Sequence, residues 1–213
     1  SAYGCNKLQA GLGNLVSAIK YFKNNMVDLR IALVSAITAM TGAWIGTKII
    51  FLLPEESIQK AITVALPVIA LIMVLRKTDA RNVIMRSEIS KKTVVQALIV
   101  GVIMGFYNSL FGPGIGTVAI IAFTMIMHYD ARCASGNGKV LIVLTNAIAL
   151  VSYVKTGNVA YEIACPAAIC AIAGNLVGVN LAIRKGEKII KPVMLVVVIL
   201  TVIKFAWQNH LWG

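Results

Sequence analysis

Charged residues are scarce in this sequence. Asp, Glu, Lys and Arg make up only 13% of the 213 residues, whereas 59% are hydrophobic, and the mean hydropathy is +0.84. Soluble domains carry about 25% charged residues on average. The composition therefore excludes a water-soluble domain and indicates a protein whose solvent is the lipid bilayer.

Acidic residues and paired cysteines are lacking as well. None of the eight Asp and Glu residues lies deep in an apolar run, although a proton-coupled carrier usually needs a carboxylate there. The cysteines show no C-x-x-C spacing, which favours helix packing over a metal or redox site. No paired acids, Ser/His set or metal cluster lies beside an apolar run, so we expect no enzyme activity, catalytic residue, cofactor or metal. The four cysteines are Cys5, Cys133, Cys165 and Cys170.

Seven apolar runs follow one another along the chain. A membrane-spanning helix needs about 20 mainly apolar residues, with a lower limit of about 17. Several runs reach this length, but the run at 115–127 does not. The runs cover residues 29–53, 58–75, 93–110, 115–127, 140–154, 160–183 and 189–205.

An internal repeat appears when the sequence is shifted by 132 positions against itself. The identities need no gap and predict two copies, at residues 4–75 and 136–207. The segment 93–127 opens the second copy, and its counterpart would precede residue 1. We therefore expect the first copy to lack an opening hairpin of about 35 to 45 residues. The identical pairs are Gly4 and Gly136, Lys7 and Lys139, Asn14 and Asn146, Tyr21 and Tyr153, Lys23 and Lys155, Val27 and Val159, Gly42 and Gly174, and Gly46 and Gly178.

Basic residues cluster in the linker between the copies, at residues 76–92. The net charge is +12, but membrane topology explains basic residues between apolar runs better than nucleic-acid binding does. The positive-inside rule places this linker in the cytoplasm. If 93–127 is a hairpin of two segments, the copies are inverted and most basic residues lie inside, whereas one broken span would make the copies parallel. We predict the inverted arrangement, with a first repeat at 1–78, a basic linker at 79–92 and a second repeat at 93–213.

Glycine and proline interrupt the apolar sequence at residues 105–117. In hydrocarbon, such a break survives only where it is buried in protein or lines a wet cavity. Pro113 suits the first turn of a new helix, whose free N–H groups and dipole would form an anion site. The alternative is a turn at the membrane surface, and the motif alone favours neither interpretation. The candidate substrate-binding residues here are Asn108, Phe111, Gly112, Pro113, Gly114, Gly116 and Thr117.

Two lysines and two asparagines extend the candidate site. Lys7 and Lys139 occupy equivalent positions in the copies, and a lysine in a membrane core is costly enough to suggest function. For either lysine alone, snorkelling to the interface is the favoured alternative, and their equivalence shifts the interpretation toward binding. Asn14 and Asn146 could donate to a substrate oxygen or bond between helices.

Other conspicuous residues are given structural roles. The pairs Gly42-x-x-x-Gly46 and Gly174-x-x-x-Gly178 predict close helix contacts, because small residues four apart let backbones approach. Asp28 is interpreted as a loop charge.

The sequence resembles the TauE/SafE family of sulfite exporter-like permeases. The resemblance is carried by residues 105–116, by Gly138-Lys139-Val140-Leu141 and by residues 186–192, and it covers nearly the whole chain. It implies a two-repeat prokaryotic membrane protein that moves sulfur-containing anions such as sulfite or sulfoacetate. Two features differ from the family. Asn108 and Ser109 stand where members commonly have an acidic residue and glycine, and the glycine-rich segment of the first copy is absent.

Together these observations predict an all-α, polytopic membrane helix bundle of two inverted repeats with a Gly/Pro-broken re-entrant hairpin. The expected function is a permease for a small anion, a sulfur-containing oxyanion or organosulfonate, in the bacterial inner membrane. A permease for another small organic anion and an inactive, N-terminally truncated fragment are the alternatives. The expected partners are the anionic substrate and the lipid bilayer, with no nucleic acid, and the oligomeric state is left open.

Overall fold

The described part of the chain consists of α-helices and short connections. The computed structural model describes residues 2–52, 90–110, 115–155, 157, 159–186, 188–190, 192, 193, 195, 196, 199, 200 and 203. The described residues from 188 onward are also helical. Six helices are numbered here in chain order: α1 (Ala2–Lys23), α2 (Leu29–Leu52), α3 (Lys91–Leu110), α4 (Ile115–Met127), α5 (Ala131–Lys155) and α6 (Tyr161–Lys185).

Four of these helices are long and apolar enough to cross a membrane. They are α5, α6, most of α3 and the segment Leu29–Gly46 of α2. By contrast, α4 has 13 residues, or about 20 Å at 1.5 Å per residue, which is too short for a hydrocarbon core of about 30 Å. The prediction of an all-α membrane helix bundle is therefore confirmed. The orientation of the copies and a re-entrant position of α4 stay predictions.

Glycines bring α2 and α3 into close contact. A methyl group added to Gly42 would collide with the backbone of Val102, and one added to Gly105 would collide with the backbone of Ala39. Helices in lipid associate through such backbone contacts, because apolar side chains gain little by leaving lipid. The interpretation of Gly42-x-x-x-Gly46 as a close helix contact is confirmed.

The equivalent glycines in α6 behave differently. A methyl group on Gly174 or Gly178 would meet no atom within 4 Å. Among the described residues this second pair does not form the predicted helix contact, because no described helix backbone lies against either glycine. Both instead border a cavity described below.

Helix boundaries follow the 132-residue offset. Lys23 and Lys155 end α1 and α5, while Leu29 and Tyr161 begin α2 and α6. The connections match too, because Asn25 and Gly157 both have positive φ angles, of 54° and 67°. The helix pairs α1–α2 and α5–α6 thus have equivalent boundaries and equivalent connections.

The helix pairs α1–α2 and α5–α6 contact each other through helices of opposite chain direction. Near the end of α1, a methyl group on Gly136 of α5 would press on the carbonyl oxygen of Met26, whereas Asn146 lies farther along α5 beside Gly11, earlier in α1. Helices α1 and α5 are therefore antiparallel neighbours. This is the order that the predicted inverted copies would have.

Asp28 fixes the connection between α1 and α2. Its carboxylate accepts hydrogen bonds from the Tyr129 hydroxyl at 2.9 Å and from the Ile31 N–H at 3.4 Å, and its own N–H donates to the Asn137 side chain at 2.8 Å. Asp28 lies in a connection, as expected, but it is buried. The carboxylate caps the first turn of α2 and binds Tyr129, just before α5, while the backbone N–H of Asp28 binds Asn137 within α5.

Helices α3 and α4 are packed with opposite chain directions. The side-chain amide of Gln96, early in α3, donates to the carbonyl oxygen of Ile126 at the end of α4, at 2.7 Å. The predicted break between these helices contains residues 111–114, which lie outside the described residues. The first described turn of α4 begins at Ile115 and faces α5.

Candidate functional site

The Lys139 ammonium lies where three helices meet. Lys139 is the ninth residue of α5, about 12 Å along the helix from its start. Its Nζ donates to Asn14 Oδ1 of α1 at 2.6 Å and to Asn175 Oδ1 of α6 at 3.4 Å. The lysine is thus directed toward neighbouring helices within the bundle.

Both asparagines turn their oxygen atoms toward the ammonium. The Asn14 side-chain NH₂ donates to the Ala10 carbonyl at 2.7 Å, and the Asn175 side-chain NH₂ donates to the Ala171 carbonyl at 2.9 Å. Each amide is therefore anchored to its own helix. The oxygens that remain face a cation, as expected because an ammonium can only donate hydrogen bonds.

A cavity of about 210 Å³ lies beside Lys139. Gly116 and Thr117 from the first turn of α4 line it, together with Ser135, Gly138 and Lys139 of α5. The first N–H groups of a helix have no partner within the helix and carry the positive end of its dipole. A methyl group on Gly116 would meet no atom of the described residues within 4 Å, so none of them covers the backbone there. A lysine and a helix start next to one cavity form an environment suited to an anion.

A second cavity, of about 370 Å³, also borders Lys139. It shares Ser135 and Lys139 with the first cavity and is also lined by Ser17, Asn175 and Gly178. The lysine therefore borders both spaces.

The structure gathers only part of the predicted site. Lys139, Asn14, Gly116 and Thr117 are brought together by a hydrogen bond and a shared cavity. Phe111, Gly112, Pro113 and Gly114 were predicted to bind substrate and lie outside the described residues.

Three further predicted residues line neither of these two cavities: Lys7, Asn108 and Asn146. Lys7 and Asn108 are partly buried, and Asn146 is buried against Gly11. No hydrogen bond joins Lys7 to Asn146 in the part of the chain that the structure describes. A role for these three residues in binding stays a prediction.

Sequence reasoning missed Ser17 and Asn175. The hydroxyl of Ser17 donates to Asn175 Oδ1 at 2.9 Å, so both side chains belong to the cluster around Lys139. The repeat could not reveal them, because Ala149 and Ala43 stand at the equivalent positions. The sequence feature that could have revealed Asn175 was the presence of an asparagine within the apolar run 160–183.

Within the described ranges, no three His, Cys, Asp or Glu side chains are grouped to hold a metal ion. The polar groups around Lys139 are amides and hydroxyls.

Known proteins similar to this chain are membrane transporters. The family model described as sulfite exporter TauE/SafE matches residues 1–205. A probable membrane transporter protein, ORF9 of Sinorhizobium sp, is 27% identical over 201 residues, covering 94% of this chain and 76% of the relative. The probable membrane transporter protein YfcA of Escherichia coli K12 is 22% identical over 210 residues, covering 99% and 77%. A probable membrane transporter protein of Haemophilus influenzae is 22% identical over 211 residues, covering 98% and 80%. No solved structure matches the chain.

Proposed function

This chain belongs to the sulfite exporter TauE/SafE family and is a membrane transporter, and we propose that it moves a small anion across the bacterial cytoplasmic membrane. The proposed substrate is a sulfur-containing oxyanion or an organosulfonate. The family description supports sulfur chemistry, while the preference for an anion is supported by the site itself.

One observation carries the proposal: Lys139 and the first turn of α4 border the same cavity. A positive side chain and the N–H groups at the start of a helix both favour an oxyanion. A lysine within an apolar helix is costly to insert, which makes a binding role the default hypothesis.

The hydrogen bonds of Lys139 favour this role over snorkelling. A snorkelling lysine extends along its helix toward the membrane surface. Lys139 instead donates across to α1 and α6. Its ammonium is held beside the cavity, where a substrate would need it.

The test is anion uptake into vesicles that contain the purified protein. Sulfite, thiosulfate, methanesulfonate and small organic acids form the substrate panel, which separates sulfur anions from other organic anions. We expect Lys139→Ala to lower uptake of the preferred anion at least about tenfold, the equivalent of one lost charge-assisted hydrogen bond. Lys155→Ala is the matched control, because Lys155 is exposed at the end of the same helix. Unchanged uptake by Lys139→Ala, with membrane insertion intact, would contradict the proposal.

The orientation in the membrane is also proposed. The basic residues at 76–92 support a cytoplasmic linker, because positive loops are retained on the cytoplasmic side. Residues 76–89 lie outside the described part of the chain, so this proposal depends on the sequence.

A further inference from the structure

We propose that Asn175 is a positioning residue of the anion site, which holds the Lys139 ammonium through a neutral oxygen and so leaves its positive charge available to the substrate. This inference rests on the proposed function. It gives a role to a side chain that has no counterpart in the first copy, where Ala43 stands at the equivalent position.

The Asn175 amide is held by three hydrogen bonds. Its oxygen accepts from Ser17 at 2.9 Å and from Lys139 at 3.4 Å, and its NH₂ donates to the Ala171 carbonyl at 2.9 Å. These contacts use both lone pairs of the oxygen and fix the orientation of the amide. The oxygen therefore faces the ammonium.

Gly13 provides the space that Asn175 occupies. A methyl group on Gly13 would lie 2.6 Å from the Asn175 amide nitrogen and 3.2 Å from the Ala171 carbonyl oxygen. Helix α1 thus approaches α6 closely where the asparagine projects, and the residue at position 13 leaves the amide undisturbed. The close approach brings Ser17, one turn farther along α1, within hydrogen-bond distance.

The partners of Lys139 explain how a buried lysine can still attract an anion. Both hydrogen bonds that the structure gives its ammonium end on amide oxygens, one from Asn14 and one from Asn175. Amide oxygens replace water around the ammonium without neutralising it, whereas a carboxylate there would form an ion pair and compete with the substrate. An ammonium has three hydrogens, and the described residues accept two of them, so a third can be donated to a ligand in the cavity.

The competing interpretation is that Asn175 only joins α1 to α6. Polar side chains often serve this purpose in membrane bundles. In that case, a substitution at 175 would change transport only to the extent that it changes stability. A negative charge at this position separates the two interpretations, because it strengthens the contact with Lys139 but cancels the charge of the site.

The experiment compares Asn175→Asp, Asn175→Leu and wild-type protein in vesicles, with sulfite, thiosulfate and methanesulfonate as probes. We expect Asn175→Asp to lower uptake of the best probe at least about tenfold without lowering the thermal unfolding temperature in detergent. We expect Asn175→Leu, which removes the oxygen at similar volume, to raise KM more than it lowers the maximal rate. The matched control is Asn180→Asp, the same change elsewhere on α6, which should leave KM unchanged.

Each outcome decides the inference. A wild-type KM for Asn175→Asp would overturn it. Rate losses in both variants that parallel their losses of thermal stability would also overturn it. If Asn175→Asp does not fold, the KM of Asn175→Leu provides the decision. Failure of the wild type to take up any of the probes, or equal uptake by wild type and Lys139→Ala, would instead reject the proposed function.

Discussion

Lys139 of α5 donates a hydrogen bond to Asn14 of α1, which lies 125 residues earlier in the chain. At the 132-residue offset, Lys139 corresponds to Lys7 and Asn14 corresponds to Asn146. The bond thus joins one member of each equivalent pair, while the counterpart bond between Lys7 and Asn146 is not formed in the described residues. The polar centre is asymmetric although the helices around it repeat.

This asymmetry predicts different consequences for two identical substitutions. We expect Asn14→Leu to raise the KM for the transported anion about tenfold, because Lys139 loses its shorter hydrogen bond. Asn146→Leu should change KM less, since Asn146 lines neither cavity. Uptake kinetics of the two variants in vesicles check the difference. Equal effects would show that the hydrogen bond to Asn14 does not set the affinity.

The hydroxyl of Thr117 provides a second prediction. Thr117 lines the smaller cavity at the first turn of α4, where its hydroxyl can donate to an anion. Thr117→Val keeps the shape but removes the donor, so we expect KM to rise about tenfold.

Thr124→Val is the control for that substitution. The Thr124 hydroxyl donates to the Ile120 and Ile121 carbonyls of its own helix, at 2.5 and 3.0 Å, and Thr124 lines neither cavity. A Thr117→Val protein with wild-type KM would remove the start of α4 from the site. Isothermal titration with sulfite would give the same comparison for binding alone.

The contact between α2 and α3 yields a prediction for stability. Gly105→Ala would press a methyl group into the backbone of Ala39, and overpacking of this kind costs about 1–3 kcal/mol. We expect a lower unfolding temperature in detergent. Gly174→Ala is the matched control, because a methyl group there meets no atom of the described residues within 4 Å. Equal stability of both variants would mean that the two helices separate easily.

The helices themselves were largely predictable, because the length of an apolar run and the internal repeat can both be recognised in the sequence. Lys23 and Lys155 end helices at equivalent positions, as the repeat implied. The polar cluster was less predictable, since it depends on which side chains meet across helices. Ser17 and Asn175 have alanine counterparts, so no repeat could mark them. The burial of Asp28 could not be predicted for the same reason, because its partners Tyr129 and Asn137 are about a hundred residues away in sequence.

Labelling at two equivalent positions tests the predicted orientation of the copies. Lys23 and Lys155 are both exposed at the ends of equivalent helices. We introduce Lys23→Cys and Lys155→Cys separately into a chain whose four native cysteines are replaced by serine. Inverted copies place these two ends on opposite sides of the membrane, whereas parallel copies place them on the same side.

A membrane-impermeant maleimide applied to right-side-out and inside-out vesicles distinguishes these arrangements. We expect the cysteine at position 23 to react from the cytoplasmic side, together with the basic linker, and the cysteine at position 155 to react from the opposite side. Reaction of both from one side would make the copies parallel. The antiparallel packing of α1 and α5 agrees with the first result, because two equivalent helices that run in opposite directions end at opposite ends of the bundle.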